Sequence, residues 1–430
     1  MKRLTIILFA FFGLFWTEGC RSQGPAEPKD TSSESSEVAT TSKQDETMNT
    51  NENVIYAQIN GFGGTYTEKF ALFCENPNGH VFLHAYNVET KTSSIYCFDP
   101  GCEHKPTERD LVTGEPLSTP CMAEELGGHL FSLREDCSYF FDYPNLIRAD
   151  IEGRNQHILA ELNLPIWSAE EELFTKDCYF RRYTLYNELI EQIDENGDSQ
   201  WILGDTLEKR KVGIIRMNLS DGKTQEIFAA DDLYEMFIYY MVEYDDHLYF
   251  LCSGIDVPYD TLPNGFEDWN AFNEAINQHS HMRLYDYDIK REELTVLFSE
   301  DHNFGCGVTR GYILKQSLEG SVWELYDTSA RFICELPFAV GNVIKSDQKI
   351  IVETPMNVNN TVRCYHMYDP DERKIIRSVE IENLNLAVAV GDSYYCRTIG
   401  SNGKSSIFYI SAEDFWNGKT DQGVIMTGDR

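Results

Sequence analysis

The stretch DDHLYFLC (Asp245–Cys252), with its continuation RLYDYDIKRE (Arg283–Glu292), decides the fold. Both runs set aromatic and branched apolar residues against polar ones and are bounded by acids and basic turn residues. Apolar alternation between turn signals is the pattern of paired antiparallel strands. The pattern recurs along the chain. A polar turn leads into a short aromatic or β-branched run at NGHVFLHA (Asn78–Ala85), EDCSYFF (Glu135–Phe141), KDCYFRRY (Lys176–Tyr183), TRGYILKQ (Thr309–Gln316), SDQKIIVE (Ser346–Glu353) and GDSYYCRT (Gly391–Thr398). A second run closing on Asp, Asn or Ser follows each one: SIYCFDP (Ser94–Pro100), NLIRADIEG (Asn145–Gly153), GIIRMNLSDG (Gly213–Gly222), SVWELYDTSA (Ser321–Ala330), VRCYHMYDPDE (Val362–Glu372) and SIFYISAEDF (Ser406–Phe415). Most units add a third run, such as KTQEIFA or LTVLFSE.

Repeated hairpins of this kind predict an all-β chain, a β-propeller of four-stranded blades. Seven units imply seven blades. Six or eight remain compatible, because Thr184–Lys211 and Ser253–Met282 are long insertions and GGHLFSLRED reads as an extra strand. Two β-sandwiches would need a mid-chain linker, and no Pro/Gly/Ser-rich linker interrupts Val54–Arg430. Ring closure is expected from NVIYAQING (Asn53–Gly61), placed as a strand beside the final blade.

The N-terminus reads as an export signal. Met1-Lys2-Arg3 is a short basic start, and Leu4–Trp16 is an apolar run too short for a comfortable membrane span. Residues 1–19 are therefore expected to be a signal peptide. Gly19-Cys20 resembles a bacterial lipobox, which implies lipidation of Cys20. Residues 20–53 are rich in Ser, Thr, Glu, Asp and Asn, and bury too little apolar surface to offset their ordering entropy. They are expected to form a tether reaching roughly 30 Å as a random coil, with the propeller at 54–430. The chain carries 36 Lys+Arg against 70 Asp+Glu, a formal charge of −34. A field of that sign disfavours nucleic acid and suits a soluble exported head.

The lipobox-like start, the acidic tether and the repeated LYF…LYxxDIxxxE hairpins resemble bacterial cell-surface lipoproteins of Clostridia-type Firmicutes. Those proteins carry a TolB-like or quinoprotein-like β-propeller. The resemblance covers most of the chain and implies a membrane-anchored, extracytoplasmic head without an assigned activity; the head is expected to be a monomer. YCFDPGCEH also resembles a recurrent C-x4-C-x-H feature of that family, in which a further cysteine follows the histidine. Here KPTERDLVTGEPLSTP intervenes before Cys121.

Cys97, Cys102, His104 and Cys121 form C-x4-C-x-H-x16-C. Three thiolates and an imidazole suit tetrahedral zinc, and a closed set of this kind is structural. Pro100-Gly101 places a turn between the first two sulfurs. A Cys102–Cys121 or Cys97–Cys121 disulfide is the alternative, a staple worth about 3 kcal/mol in the chain-entropy model. Most other cysteines sit inside apolar strand patterns and read as small buried hydrophobes, a usage that favours reduced thiols.

Asp194, Asn196 and Asp198 alternate like the start of a calcium loop, but Ser199 replaces its glycine and a hairpin tip is the better reading. His279 and His281 are expected to share a strand face. Asp268–Ile276 has a helical rhythm, with Phe266, Trp269 and Phe272 either packing the insertion down or lining a cleft. The nucleophile elbow, the phosphate loop and the dinucleotide fingerprint are absent from the sequence.

The resulting expectation is a non-catalytic binding or scaffold module. A protein or carbohydrate ligand would meet the face bearing the two insertions. The competing expectation, a hydrolase or lyase, requires His, Arg and carboxylates converging in the central funnel with perturbed pKa values.

Overall fold

The computed structural model describes residues 54–426 except 60–61, 76–80, 100, 110–115, 128, 135, 163–170, 186–188, 194–198, 204–210, 231–235, 258–260, 264–267, 302–303, 318–321, 348, 356–361 and 400–404. The signal peptide, Cys20, the tether, Phe266 and the Asp194–Asp198 tip therefore lie outside the described residues.

The chain is a β-propeller of seven blades. Blade 1 holds β1 (Ile55–Ile59), β2 (Phe62–Tyr66), β3 (Phe70–Glu75), β4 (Phe82–Asn87) and β5 (Thr92–Ile95). Blade 2 holds β6 (Phe131–Leu133), β7 (Ser138–Asp142), β8 (Asn145–Ala149) and β9 (His157–Glu161). A short helix, α1 (Met122–Glu125), precedes it. Blade 3 is β10 (Glu172–Phe174), β11 (Cys178–Leu185), β14 (Lys211–Asn218) and β15 (Thr224–Ala230), and its insertion is a separate hairpin, β12 (Leu189–Ile193) with β13 (Ser199–Leu203). Blade 4 is β16 (Met236–Tyr244), β17 (His247–Ile255), β18 (Ser280–Asp288) and β19 (Glu293–Glu300), with α2 (Trp269–His279) inserted before β18. Blade 5 runs through β20 (Cys306–Thr309), β21 (Tyr312–Gln316), β22 (Trp323–Asp327) and β23 (Phe332–Leu336). Blade 6 is β24 (Asn342–Val343), β26 (Ile350–Glu353), β27 (Val362–Asp369) and β28 (Lys374–Glu382). Blade 7 is β29 (Leu384–Val390), β30 (Ser393–Ile399), β31 (Ser405–Ser411) and β32 (Val424–Ile425), with β25 (Lys345–Ser346) added in parallel to β29 and α3 (Ala412–Trp416) after β31. Among the described residues no helix is long and apolar enough to cross a membrane.

Burial falls from the second strand of a blade to the fourth. Every residue of β17 after His247 is buried, whereas β19 and β28 are largely exposed. The second strand lies between neighbouring blades on both faces, so it reads as a continuous apolar run. The turn between the third and fourth strands reuses one device. The last residue of the third strand, or the one following it, accepts backbone N–H groups two to four residues on: Asp150 from Glu152 and Arg154, Asn218 from Ser220, Asp288 from Lys290 and Arg291, Asp327 from Ser329 and Arg331, and Asp369 from Asp371 and Glu372. These Asx turns are the physical content of the recurring Asp/Asn closers. A β-bulge follows in the same strand pair of five blades, at Leu146/Ile147, Ile214/Ile215, Leu284/Tyr285, Leu325/Tyr326 and Met367/Tyr368, and increases the twist there.

Three expectations are corrected. NGHVFLHA does not open the first unit: EKFALFCE supplies the second strand as β3, and Phe82–Ala85 belong to the third, β4. Both stretches are a polar turn followed by aromatics, and period two alone does not number strands within a blade. GGHLFSLRED is not an extra strand, because its Phe131–Leu133 is the inner strand of blade 2. NVIYAQING does not close the ring by joining the final blade. Its strand β1 pairs antiparallel with β2, Ile55 opposite Tyr66 and Ile59 opposite Phe62, and only lies against β29.

Closure is made by side chains instead. Tyr66, Phe73 and Tyr86 of blade 1 pack with Val388, Tyr395, Tyr409 and Met426 of blade 7 in one buried cluster. The Tyr395 hydroxyl donates to the Thr67 carbonyl at 2.7 Å, and Ser393 Oγ donates to the Glu68 carbonyl at 2.6 Å.

Candidate metal centre

The connection from blade 1 to blade 2 carries the cysteine cluster. After β5, the Cys97 N–H donates to the Ile95 carbonyl at 2.9 Å. Asp99 then forms a tight turn: its Oδ1 accepts the Gly101 N–H at 2.9 Å and its carbonyl accepts the Cys102 N–H at 3.1 Å. This turn brings Cys102 back towards Cys97. His104 adopts φ +53°, and its backbone N–H donates to Cys102 Sγ at 3.4 Å.

The long return to Cys121 is pinned at its root. Thr107 donates its N–H to Glu124 Oε2 of α1 at 2.8 Å and its hydroxyl to the same oxygen, and the Leu117 N–H donates to the Glu108 carbonyl at 2.8 Å. Cys121 is the N-cap of α1 and is 3% exposed, packed with Phe82 and Ala123. Its Sγ lies 3.7 Å from His104 Nδ1.

The ligand atoms of Cys97, Cys102, His104 and Cys121 all lie within 4.8 Å of one another, and the three cysteines are free thiols. Ideal tetrahedral zinc sets such atoms about 3.5–3.8 Å apart, so the group needs little contraction to hold an ion. Without a cation the thiols oppose one another's ionisation. Burial, then the Cys102 hydrogen bond and the charge of Cys97, push the Cys121 thiol up to about 12. A bound dication inverts that preference, because a coordinating thiol is deprotonated outright.

All four sequence-predicted ligands are thus brought together. The set offers no carboxylate. Glu103, the acid nearest in sequence, is 72% exposed and pairs with Lys105 Nζ at 2.6 Å.

The histidine pair is not brought together. His279 ends α2 and its Nδ1 meets Asp256 Oδ1 at 2.9 Å, whereas His281 is buried in β18. Burial, then Arg283, lowers the pKa of His281. The helix intervenes where a continuous strand was expected. In the same insertion Phe272 and Ile276 pack down on Ile255 and partly buried Leu262, so this aromatic anchors the insertion.

Sequence reasoning missed a second group, at the ring axis. Glu171 and Arg182 of blade 3, Tyr240 of blade 4, Cys306 of blade 5 and Lys345 beside blade 7 come from four parts of the ring, and no local spacing signals them.

No family model matches the chain, and no curated protein matches it. Solved structures with a similar course include an oligogalacturonate lyase in complex with manganese, at 11% identity and TM-score 0.45, covering 84% of this chain and 96% of that one. The oligogalacturonate lyase of Vibrio parahaemolyticus is similar at 10% and 0.45, covering 85% and 98%. An acylaminoacyl peptidase of Pyrococcus horikoshii is similar at 8% and 0.49, covering 85% and 50%. At such identities and TM-scores these likenesses bring neither an activity nor a ligand to this chain. What fold and site together define is a seven-bladed β-propeller with a Cys3His metal-ligand cluster between its first two blades.

Proposed function

We propose that this chain is a lipid-anchored, extracytoplasmic propeller acting as a non-catalytic binding or scaffold module, its first inter-blade loop stapled by a structural zinc ion. The observation that carries the reading is a division of labour in the ring. The metal ligands form a closed set of four in an outer connection, which leaves no position for a substrate. Both elaborated insertions, the β12–β13 hairpin and α2, depart from the end of a blade's second strand, in adjacent blades 3 and 4. By topology they rise on one face, where a rigid ring presents recognition elements.

Zinc is favoured by the donors. Three sulfurs and an imidazole are the soft set it takes, whereas manganese and calcium prefer oxygen. The basic start, apolar run and Gly19-Cys20 support export and acylation. The charge of −34 supports a soluble head and disfavours nucleic acid as partner. The ligand on the insertion face is a protein or a carbohydrate, and the head is a monomer.

Elemental analysis of the full chain purified from membranes should give one zinc per chain, lost in Cys102→Ser. A metal-free protein with a Cys102–Cys121 bond would refute the zinc assignment. Incorporation of labelled palmitate should vanish in Cys20→Ala. Unchanged labelling in that variant would refute the anchor.

A further inference from the structure

The hairpin turns of blades 3 and 4 enclose a cleft of about 460 Å³. In each of these blades the turn between the first two strands is hydrogen-bonded to the turn between the last two. The Leu219 N–H donates to the Asp177 carbonyl at 2.9 Å in blade 3, and the Ile289 N–H donates to the Asp246 carbonyl at 2.9 Å in blade 4. Asn218 Oδ1 holds the blade 3 turn further, accepting the Ser220 N–H and the Ser220 hydroxyl at 2.8 Å each. Arg216 of β14 bridges the two blades. Its Nη1 donates to the Tyr287 hydroxyl at 3.3 Å and to Glu292 Oε1 at 3.1 Å, and its Nε donates to Cys178 Sγ at 3.2 Å. The walls are therefore held in place by the fold itself, and binding costs little further ordering.

The cleft is graded from floor to rim. Tyr139 of blade 2, Leu219 and Ile289 line it and are buried, with the Tyr139 hydroxyl donating to the Leu219 carbonyl at 3.4 Å. Lys176, Asp177, Ser220 and Lys290 line it and are exposed. The charges of the lining cancel: Lys176, Arg216 and Lys290 stand against Asp177, Asp246 and Glu292. Arg216 is already paired with Glu292, and Lys290 with Asp246. A ligand with net charge of either sign competes with these pairs, whereas a neutral polyol adds to them. An ionised carboxylate has lone pairs for several donors, and a guanidinium has more N–H groups than these bonds use. The volume falls within the roughly 300–1,000 Å³ of small-molecule sites.

We propose that this cleft binds a neutral mono- or disaccharide. The C–H face of a sugar ring rests on the floor of Tyr139, Leu219 and Ile289, where its apolar surface leaves water. Its hydroxyls meet Lys176, Asp177 and the Arg216–Glu292 pair. The site is separate from the proposed recognition face. The turns that form it join first to second and third to fourth strands, whereas both insertions join second to third and so leave from the opposite face of the ring. A sugar bound here leaves the insertion face free for a partner of its own.

Calorimetric titration of the full chain tests the site. D-glucose, D-galactose, N-acetyl-D-glucosamine, lactose and cellobiose serve as neutral probes, with D-glucuronate, glycine and inorganic phosphate as charged or zwitterionic ones. At least one neutral saccharide should bind with 1:1 stoichiometry and more tightly than any charged or zwitterionic probe. The double variant Lys176→Met/Asp177→Asn changes two exposed turn residues and keeps the net charge, so it reports contacts rather than field. It should weaken binding of that saccharide about tenfold. Ser220→Trp, at another exposed turn position, should fill the cleft and abolish binding, and it decides the matter if the double variant does not fold. No binding by any of the neutral saccharides, tighter binding of a charged or zwitterionic probe, or unchanged affinity in a folded variant would overturn the site.

Discussion

His84 illustrates how packing sets the protonation of a single residue. Its ring stacks on Phe73 with centroids 5.8 Å apart and planes at 15°. Burial lowers its pKa from 6.5 to about 4. Between those values the unfolded chain holds a proton that the folded chain does not. Stability from this residue is therefore complete above about pH 6.5 and is lost as pH falls towards 4, by at most about 3 kcal/mol. His84→Phe keeps an aromatic against Phe73. It should flatten the change in urea midpoint between pH 7 and pH 5, whereas a slope equal to wild type would place the acid sensitivity elsewhere. The cysteines teach a complementary lesson. Cys97, Cys102 and His104 were legible as candidate ligands because one short turn, closed by Asp99 Oδ1 on the Gly101 N–H, joins them. Their meeting with Cys121 was legible only as a hypothesis, because it depends on the Thr107–Glu124 contact that folds the loop back.

At the scale of the element, turn chemistry carried the prediction. The Asp, Asn and Ser closers are residues that accept backbone N–H groups at a turn, and the structure uses them so in blade after blade. The helix of the blade 4 insertion was legible from the helical rhythm of Asp268–Ile276, and the structure adds its cap. Asp268 caps α2, its Oδ1 accepting from Asn270 N at 3.1 Å and Ala271 N at 3.0 Å. Asp268→Ala should cost about 1 kcal/mol, concentrated in the helix. Hydrogen exchange should speed up in residues 270–279 while blade 4 strands keep their protection; uniform loss across the blade would contradict a local role. Strand rank within the first blade was not legible, since β3 and β4 share one pattern and only pairing partners distinguish them.

At the scale of the whole molecule, the ring is shut by a sheet-to-sheet interface rather than by a shared strand. The Tyr395 hydroxyl reaches across it to the Thr67 carbonyl, and Tyr395 itself is fully buried. Tyr395→Phe should lower stability by about 1–2 kcal/mol. The loss should be visible in denaturant titration and as faster exchange in blades 1 and 7 before the other blades. An unchanged midpoint would mean that the apolar contacts alone hold the closure. The axial group belongs to the same scale, since its members come from strands that meet only once all seven blades stand in the ring.

The sequence by itself determined the blade unit, the insertions and the ligand spacing. Each follows from local forces: period-two burial, side-chain acceptors at turns, and a short loop between two thiols. The tertiary structure alone decided how the ring closes. That outcome depends on contacts between residues hundreds of positions apart, such as Ser393 with Glu68. Nothing in either residue's neighbourhood along the chain encodes such a meeting; it follows from the number and twist of the blades between them.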